Sequence, residues 1–383
     1  MSTAVLEDIR GNQPLVLAGN ARLRVAFASG GSGGHLYPGL AIAAEIQEKF
    51  PGAKSLFLVS EKPVEAKILS QTHFLFHAIP SCPPRPSNLR MFARKLWDGY
   101  RKSVGVLRQF RPDALVALGG FACFAPALAA RRLGIPLFIQ EQNGTAGWAS
   151  ALLSLLAKAV FVPFSGMERQ FPLARVLTTG NPVRREALAV DRETSRRLLG
   201  LAADKCTVLV LGGSQGARCI NDLVTQSLDR MVDLKDCLQW IHLAGFEDAD
   251  KVKGVYAAKE WKAAVFPFFE RMGICYGAAD MVVSRAGAST IAEIIANGMA
   301  SILIPIPQSL RDHQRKNAQI LTDRGAACLL DQGQLTASAF STVVKSFQRD
   351  PIKLERMKRA VKKMVRGDAA GVIAKEIFRR VAK

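Results

Sequence analysis

Two glycine-rich segments are the chain's most chemically suggestive features. Gly30-Gly31-Ser32-Gly33-Gly34-His35 and Gly212-Gly213-Ser214-Gln215-Gly216-Ala217 each follow an apolar, β-rich run and precede a helical pattern. In that setting a glycine loop leaves backbone N–H groups bare at a helix N-terminus and lets a phosphate approach closely. A tight turn required only by packing is the alternative for either loop alone, and repetition favours the anion site. Neither loop is a dinucleotide fingerprint, because the third glycine of the first would fall on Leu36, and no Walker lysine follows either one. His35, at the lip of the first loop, titrates near neutral pH and suits general-base work, with a helix-start hydrogen bond as its other possible role.

Metal chemistry is not expected. The five histidines form no HExxH, the seven cysteines have no CxxC spacing, and no Asp-x-Asp pair is read between a strand and a loop. An odd, scattered set of thiols also argues against a disulfide framework and suits a reducing compartment. His73 and His77 lie four apart, but Phe74-Leu75-Phe76 between them read as strand, so they are not assigned to a metal.

Positioning such loops requires strands and helices in alternation. β-rich runs (Leu23 to Ala28, Ser55 to Val59) alternate with helical ones (Pro38 to Phe50), the rhythm of parallel α/β sheets. The strand–loop–helix unit that begins at Val25 recurs at Thr207. Pro112-Asp113-Ala114-Leu115-Val116 and Ala279-Asp280-Met281-Val282-Val283 then each lead through a glycine turn into a helix ending near Gly134 or Gly298, followed by strands at Leu137 to Ile139 and Ser301 to Ile304. Two copies of one α/β unit predict two parallel-sheet α/β domains and a cleft between them. The break at Gly180-Asn181-Pro182 divides residues 1–182 from 183–361, with 1–21 a loose extension lacking a secretory pattern and 362–383 a C-terminal helix packing back on the first domain. The uncharged stretch from Ala114 to Ala130 contains Gly119-Gly120 and Pro126, which predict a buried strand, tight loop and helix start rather than a membrane span.

Five motifs in order resemble the MurG family, the peptidoglycan glycosyltransferases that add N-acetylglucosamine to lipid I. They are the Gly30 to Gly39 loop, Glu141-Gln142-Asn143-Gly144, Gly180-Asn181-Pro182-Val183-Arg184, Gly212 to Arg218, and Ser284-Arg285-Ala286-Gly287-Ala288-Ser289-Thr290 to Glu293, with Asp312-His313-Gln314 and Asn317-Ala318 beyond. The resemblance covers about residues 23–330. It implies the α/β GT-B fold, with two Rossmann-like parallel-sheet domains facing a central cleft, and a cofactor-free, inverting transfer from UDP-N-acetylglucosamine to the muramoyl sugar of lipid I (undecaprenyl-diphospho-muramoylpentapeptide), giving lipid II. With no Asp-x-Asp read between strand and loop, the transfer is expected to be metal-independent.

By resemblance, the donor contacts are Ser32, Gly33, Gly34, Asn143, Arg184, Ser214, Phe269, Gln314 and the run Ala288, Ser289, Thr290, Ile291, Ala292 and Glu293. Glu293 matches the ribose-binding carboxylate, Phe269 the apolar residue beside uracil and Gln314 the reader of sugar hydroxyls. Gly31, Gly33, Gly34, Gly119 and Gly120 would face the acceptor diphosphate, with His35 and Glu141 as rival bases. The family's second acceptor-side loop usually runs from an aromatic through a small residue and serine to glycine. Here Phe121-Ala122-Cys123-Phe124 departs from it. The resemblance further implies a peripheral enzyme on the cytoplasmic face of the bacterial inner membrane, acting in cell-wall biogenesis, cell shape and division beside other proteins of those processes.

The formal charge is +20. Residues 85–111 hold eight basic side chains against one acidic, and 349–383 hold twelve against four, so these two stretches carry fifteen of the surplus charges. Leu89, Phe92, Ala93, Leu96, Trp97, Tyr100 and Val104 recur at helical spacing among Arg90, Arg94, Lys95, Arg101 and Lys102. Such a helix suits an anionic bilayer surface or packs its stripe into the core. The second basic run, with Met357, Val361, Met364 and Val365 on one side, is read as packing on the first domain. A basic nucleic-acid-binding protein is the competing class, but no RRM, KH, zinc-finger or basic-zipper pattern accompanies the charge, and no nucleic-acid partner is expected. The 2-epimerase of UDP-N-acetylglucosamine and a lipid-disaccharide synthase are the competing GT-B enzymes.

Overall fold

A computed structural model describes residues 23–30, 33–212, 217–307 and 309–381. The chain forms two compact units. The first comprises residues up to Gln142, Ala146–Pro182 and Asp368 onward, and the second comprises Asn143–Thr145 and Val183–Gly367.

In the first unit the elements run β1 (Arg24–Ala28), α1 (Gly33–Lys49), β2 (Lys54–Ser60), α2 (Pro63–Ser70), β3 (Leu75–Ile79), α3 (Leu89–Phe110), β4 (Ala114–Ala117), α4 (Phe124–Arg132), β5 (Leu137–Gln140), α5 (Trp148–Leu153), β6 (Ala159–Val162) and β7 (Val176–Thr178). The strands form one parallel sheet in the order β3-β2-β1-β4-β5-β6-β7, with Val25 paired to Ser55 on one side and Ala114 on the other. β4, β5 and β6 are buried along their whole length, as strands covered by helices on both faces must be, and this explains why they are apolar throughout save for Gln140 at the end of β5.

The second unit continues with α6 (Arg192–Leu198), β8 (Cys206–Leu211), α7 (Arg218–Ser227), β9 (Leu238–Leu243), α8 (Ala249–Ala258), β10 (Ala263–Phe266), α9 (Met272–Ala278), β11 (Met281–Ser284), α10 (Ala288–Ala296), β12 (Ala300–Leu303), α11 (His313–Thr322), β13 (Cys328–Leu329), α12 (Ala337–Arg349) and α13 (Pro351–Lys362). Its parallel sheet has the order β10-β9-β8-β11-β12-β13. In both sheets the winding reverses beside the first strand, between β1 and β4 and between β8 and β11. Loops at the carboxyl ends of strands flanking such a reversal form the crevice where α/β proteins bind ligands. In each sheet the strand that a glycine-rich segment follows in the sequence, β1 or β8, therefore flanks the reversal.

The return to the first unit begins at Asp368 rather than residue 362, because α13 stays with the second unit, where Met357 joins the buried core and Val361 is buried. This also corrects the reading that the Met357 face packs on the first domain. The returning helix is α14 (Ala369–Val381), whose Ala370, Ile373, Ala374 and Ile377 are buried against the core beneath α1. Lys49 at the end of α1 lies 3.3 Å from Asp368 at the start of this return.

The stripe on α3 divides. Leu96, Tyr100 and Val104 pack against the core around buried Gly99, Ser103 and Leu107, while Leu89 and Trp97, with Met91 outside the stripe, are more than half exposed. A Cβ on Gly99 would lie 2.6 Å from the Pro80 carbonyl oxygen, so the inward face depends on that glycine. From Ala114 to Ala130 the chain forms β4, the Gly119-Gly120 turn with φ of 97° and 81°, a short 3-10 turn and most of α4. Among the described residues no helix is long and apolar enough to cross a membrane.

Candidate active site

In the first unit, the loops after β1 and β4 are locked together backbone to backbone. A Cβ on Gly120 would fall 2.2 Å from the Gly30 carbonyl oxygen, and one on Gly30 would fall 2.6 Å from the Ala122 Cβ. Cys123, where the resembled family carries serine, is buried, and its single S–H is shared between the carbonyls of Ala28 at 3.0 Å and Gly119 at 2.9 Å. The divergent residue thus ties the second loop back to β1. Burial pushes this thiol up to about 12, so it stays protonated and able to donate. His35, half-buried in the first turn of α1, borders the same turn, with its Cδ2 3.2 Å from where a Gly119 Cβ would stand. Gly33 is buried and Gly34 exposed, while Gly31 and Ser32 lie outside the described residues.

Beneath this loop pair sits a buried carboxylate that the sequence reading missed. Glu65 on α2 accepts from the Ser29 hydroxyl at 3.2 Å and from the Ser60 N–H at 3.1 Å, joining the ends of β1 and β2. No spacing pattern marks it, because its partners lie 36 and five residues away.

Glu141 is 3% exposed, and its oxygens accept backbone N–H groups, Oε1 from Gln142 and Oε2 from Gly147, both at 3.0 Å. Its neighbour Gln142 donates to the Leu118 carbonyl at 2.6 Å, and Asn181 donates to the Gln142 carbonyl at 2.7 Å while accepting from Gln140 at 2.9 Å. The Glu-Gln-Asn-Gly and Gly-Asn-Pro motifs, about forty residues apart, are therefore one hydrogen-bonded structure.

Asn143 belongs with the second unit. Asn317 on α11, 1% exposed, donates to the Asn143 side-chain oxygen at 3.3 Å and to the Ala286 carbonyl at 3.2 Å, and its own oxygen accepts from the Gly144 N–H at 2.9 Å. This single carboxamide holds Asn143 beside Gly287, the residue that opens α10.

The donor candidates of the second unit gather around α9, α10 and the segment after Pro182. Half-buried Glu293 on α10 accepts from the Tyr276 hydroxyl of α9 at 2.9 Å. Burial raises the Glu293 carboxyl above its usual range, while the Tyr276 hydrogen bond and the Arg184 charge pull it down. The turn that follows Arg184 is pinned to the end of α10 on its C-terminal side. Asn297 donates to the Ala187 carbonyl and accepts from the Ala189 N–H, at 2.9 and 2.7 Å. α9 can approach only because it carries glycines, since Cβ atoms on Gly273 and Gly277 would lie 2.1 and 2.2 Å from the carbonyl oxygens of Leu188 and Val190.

Ala288, Ser289 and Thr290 form the half-buried first turn of α10, and Ile291 and Ala292 are buried behind them. Gln314 is 9% exposed and its side-chain oxygen accepts from the Ile306 N–H at 3.0 Å, fixing its carboxamide. Arg311 and Asp312, just before it, both take left-handed backbone conformations at φ of 55° and 56°. Phe269 is half-buried against Phe266, with ring centroids 4.8 Å apart, whereas the adjacent Phe268 is 48% exposed. Ser214 lies outside the described residues.

The helix that its loop enters, α7, is braced from inside. Asn221, its fourth residue, donates to the Ala244 carbonyl and to Asp248, leaving its oxygen to accept from His242 Nε2–H at 3.0 Å. His242 Nδ1 then accepts from the Tyr256 hydroxyl at 3.1 Å. Full burial takes His242 down to about 3, so the ring is neutral. Asp248 also opens an Asp-x-Asp, Asp248-Ala249-Asp250, which the sequence reading passed over, but it is occupied by Asn221 and lies 3.7 Å from the Arg218 guanidinium.

Residues 25–162 match the glycosyltransferase family 28 N-terminal domain and residues 207–373 its C-terminal domain. The chain is 35% identical to the UDP-N-acetylglucosamine–N-acetylmuramyl-(pentapeptide) pyrophosphoryl-undecaprenol N-acetylglucosamine transferase of Geobacter metallireducens, over 93% of this chain and 98% of that one. It is 37% identical to the protein of the same name from Desulforamulus reducens, over 92% and 97%. Among solved structures it is similar to MurG of Acinetobacter baumannii, with a TM-score of 0.75 and 26% identity over 93% of this chain and 99% of that one. A UDP-N-acetylglucosamine 2-epimerase, at TM-score 0.65 and 13% identity, shares the fold.

Proposed function

Since this chain belongs to the MurG family of UDP-N-acetylglucosamine–N-acetylmuramyl-(pentapeptide) pyrophosphoryl-undecaprenol N-acetylglucosamine transferases, we propose a division of its reaction among the residues described above. The enzyme moves N-acetylglucosamine from UDP-N-acetylglucosamine to lipid I and so forms lipid II. The observation that supports the residue assignment is that in each unit the strand preceding a glycine-rich segment, β1 or β8, flanks the sheet reversal.

The second unit takes the donor. Backbone N–H groups at the starts of α7 and α10, with Arg184, receive the diphosphate. Glu293 accepts from the ribose hydroxyls, and Phe269 lies by the uracil. Gln314, whose oxygen is already used by Ile306, offers its N–H groups to the sugar. The first unit takes the acceptor diphosphate at Gly33, Gly34, Gly119 and Gly120. His35 accepts the proton of the attacking hydroxyl, whose oxygen bonds to the anomeric carbon as the carbon–oxygen bond to UDP breaks. Attack opposite the diphosphate inverts the α-linked donor to a β-linked product. Helix termini and Arg184 stabilise the leaving diphosphate without a metal. Glu141, with both oxygens engaged by backbone, organises its loop.

The enzyme works as a peripheral protein on the cytoplasmic face of the membrane that holds its acceptor. Exposed Leu89, Met91 and Trp97 beside Arg90 and Arg94 support contact with anionic lipid. Through lipid II it serves cell-wall growth, and thereby cell shape and division. Labelled UDP-N-acetylglucosamine supplied with a lipid I analogue and with other acceptors, with and without chelator, tests the assignment. Transfer to the muramoyl-diphospholipid that survives chelation is expected, and transfer only to another acceptor overturns it. Co-sedimentation with anionic vesicles should weaken with salt; binding indifferent to lipid charge removes the membrane assignment.

A further inference from the structure

We infer that Tyr276 is a positioning residue for donor recognition, its hydroxyl orienting the Glu293 carboxylate toward a vicinal diol of the nucleotide. The inference rests on the reading of Glu293 as the ribose carboxylate. Tyr276 is 1% exposed and its hydroxyl lies 2.9 Å from Glu293 Oε2. Burial and the neighbouring carboxylate keep this phenol well above its ordinary range, so it is a permanent donor and Glu293 the acceptor. A carboxylate has about four acceptor directions. With one taken by Tyr276, the carboxylate is fixed in orientation and still offers Oε1 and part of Oε2 to two adjacent hydroxyls.

The packing is arranged to bring the phenol there. Gly273 and Gly277, three residues before and one after Tyr276, allow α9 to touch the carbonyls of Leu188 and Val190, which a side chain at either position would prevent. The charged and titratable groups facing this pair are Arg184, on the segment after Pro182, and Cys275, on α9 itself. The Cys275 thiol is pushed up to about 12 by burial and is neutral. Tyr276 and Arg184 thus pull down a carboxyl that burial raises, and only the charged carboxylate accepts from both hydroxyls.

Tyr276→Phe keeps the ring and removes the O–H. Its expected effect is a roughly tenfold rise in KM for UDP-N-acetylglucosamine, the size of one lost hydrogen bond to a charged group, with kcat and acceptor KM nearly unchanged. The acid limb of kcat/KM for the donor should move to higher pH, because Glu293 loses a group that lowers it. A second readout is the ratio of dissociation constants for UDP and 2′,3′-dideoxyuridine diphosphate, which does not depend on how much of the variant is folded. Glu293→Gln should collapse this ratio, and Tyr276→Phe should reduce it. If Glu293→Gln leaves the ratio unchanged, the ribose reading of Glu293 fails and the inference with it. If Glu293→Gln collapses the ratio while Tyr276→Phe leaves both ratio and pH limb unmoved, Tyr276 is a packing residue and the inference alone is overturned.

Discussion

Glu141 is 3% exposed and each of its oxygens accepts a backbone N–H, so a substrate proton would have to reach a carboxylate already engaged and enclosed. His35 borders the Gly119 turn from a half-buried helix start. The same five-motif pattern offers both as bases, since sequence records residue type but not which lone pairs are occupied. His35→Ala should lower kcat about 10²- to 10⁴-fold with donor KM little changed, as loss of a general base does. Glu141→Gln should act chiefly by lowering Tm, because the N–H groups of Gln142 and Gly147 lose their charged acceptor. Steady-state kinetics and thermal melts on both variants check this. Near-normal turnover in His35→Ala with none in Glu141→Gln reverses the roles. The pairs Tyr276–Glu293, Glu65–Ser29 and Asn317–Asn143 were invisible for the same reason, since their members are separated by 17, 36 and 174 positions. Cys123 is the opposite case, a visible departure whose thiol makes the two carbonyl contacts that hold its loop.

At the scale of elements, glycine positions and buried polar links set how closely neighbours approach. The loops after β1 and β4 share van der Waals space at Gly30 and Gly120. Gly120→Ala combines a φ of 81° with a clash on the Gly30 carbonyl. It should cost at least about 1–3 kcal/mol from the backbone alone, read as a lower Tm, and should raise acceptor KM more than donor KM. α7 depends on the Asn221–His242–Tyr256 chain to brace it against β9 and α8. His242 is held near 3 in the folded state against an ordinary 6.5, so the unfolded chain binds the extra proton between those values. Its contribution to stability is complete above about pH 6.5 and is lost as pH falls toward 3. Urea melts of His242→Gln between pH 7 and 4 should show a shallower acid loss than the parent, even if the variant starts less stable. An unchanged slope would place the acid sensitivity elsewhere.

The whole molecule consists of two α/β units, with one helix borrowed from the far end of the chain. Removing residues 369–383 strips Ile373 and Ile377 from the first core, at about 1.5–3 kcal/mol each by burial alone. The truncated protein should lose its first-unit melting transition while the second still binds UDP, as followed by calorimetry and nucleotide titration; joint loss of both would contradict the assignment of α14 to one unit. The charge of +20 is likewise resolved by place. On α3 the inner face is core and the outer one leaves Leu89, Met91 and Trp97 exposed among arginines, so a single periodic stripe serves packing and surface together. The sequence by itself determined the α/β class, the repeat, the loops and the family, because strand–loop–helix units and glycine turns are local and their spacing survives in one dimension. Tertiary structure alone decided that Asn143 belongs with the second unit, that α13 and α14 part company at Asp368, and that Glu141 is tied to backbone while Glu293 is held by a tyrosine. Those outcomes depend on which lone pairs and faces meet when distant segments pack, and a one-dimensional pattern does not record such meetings.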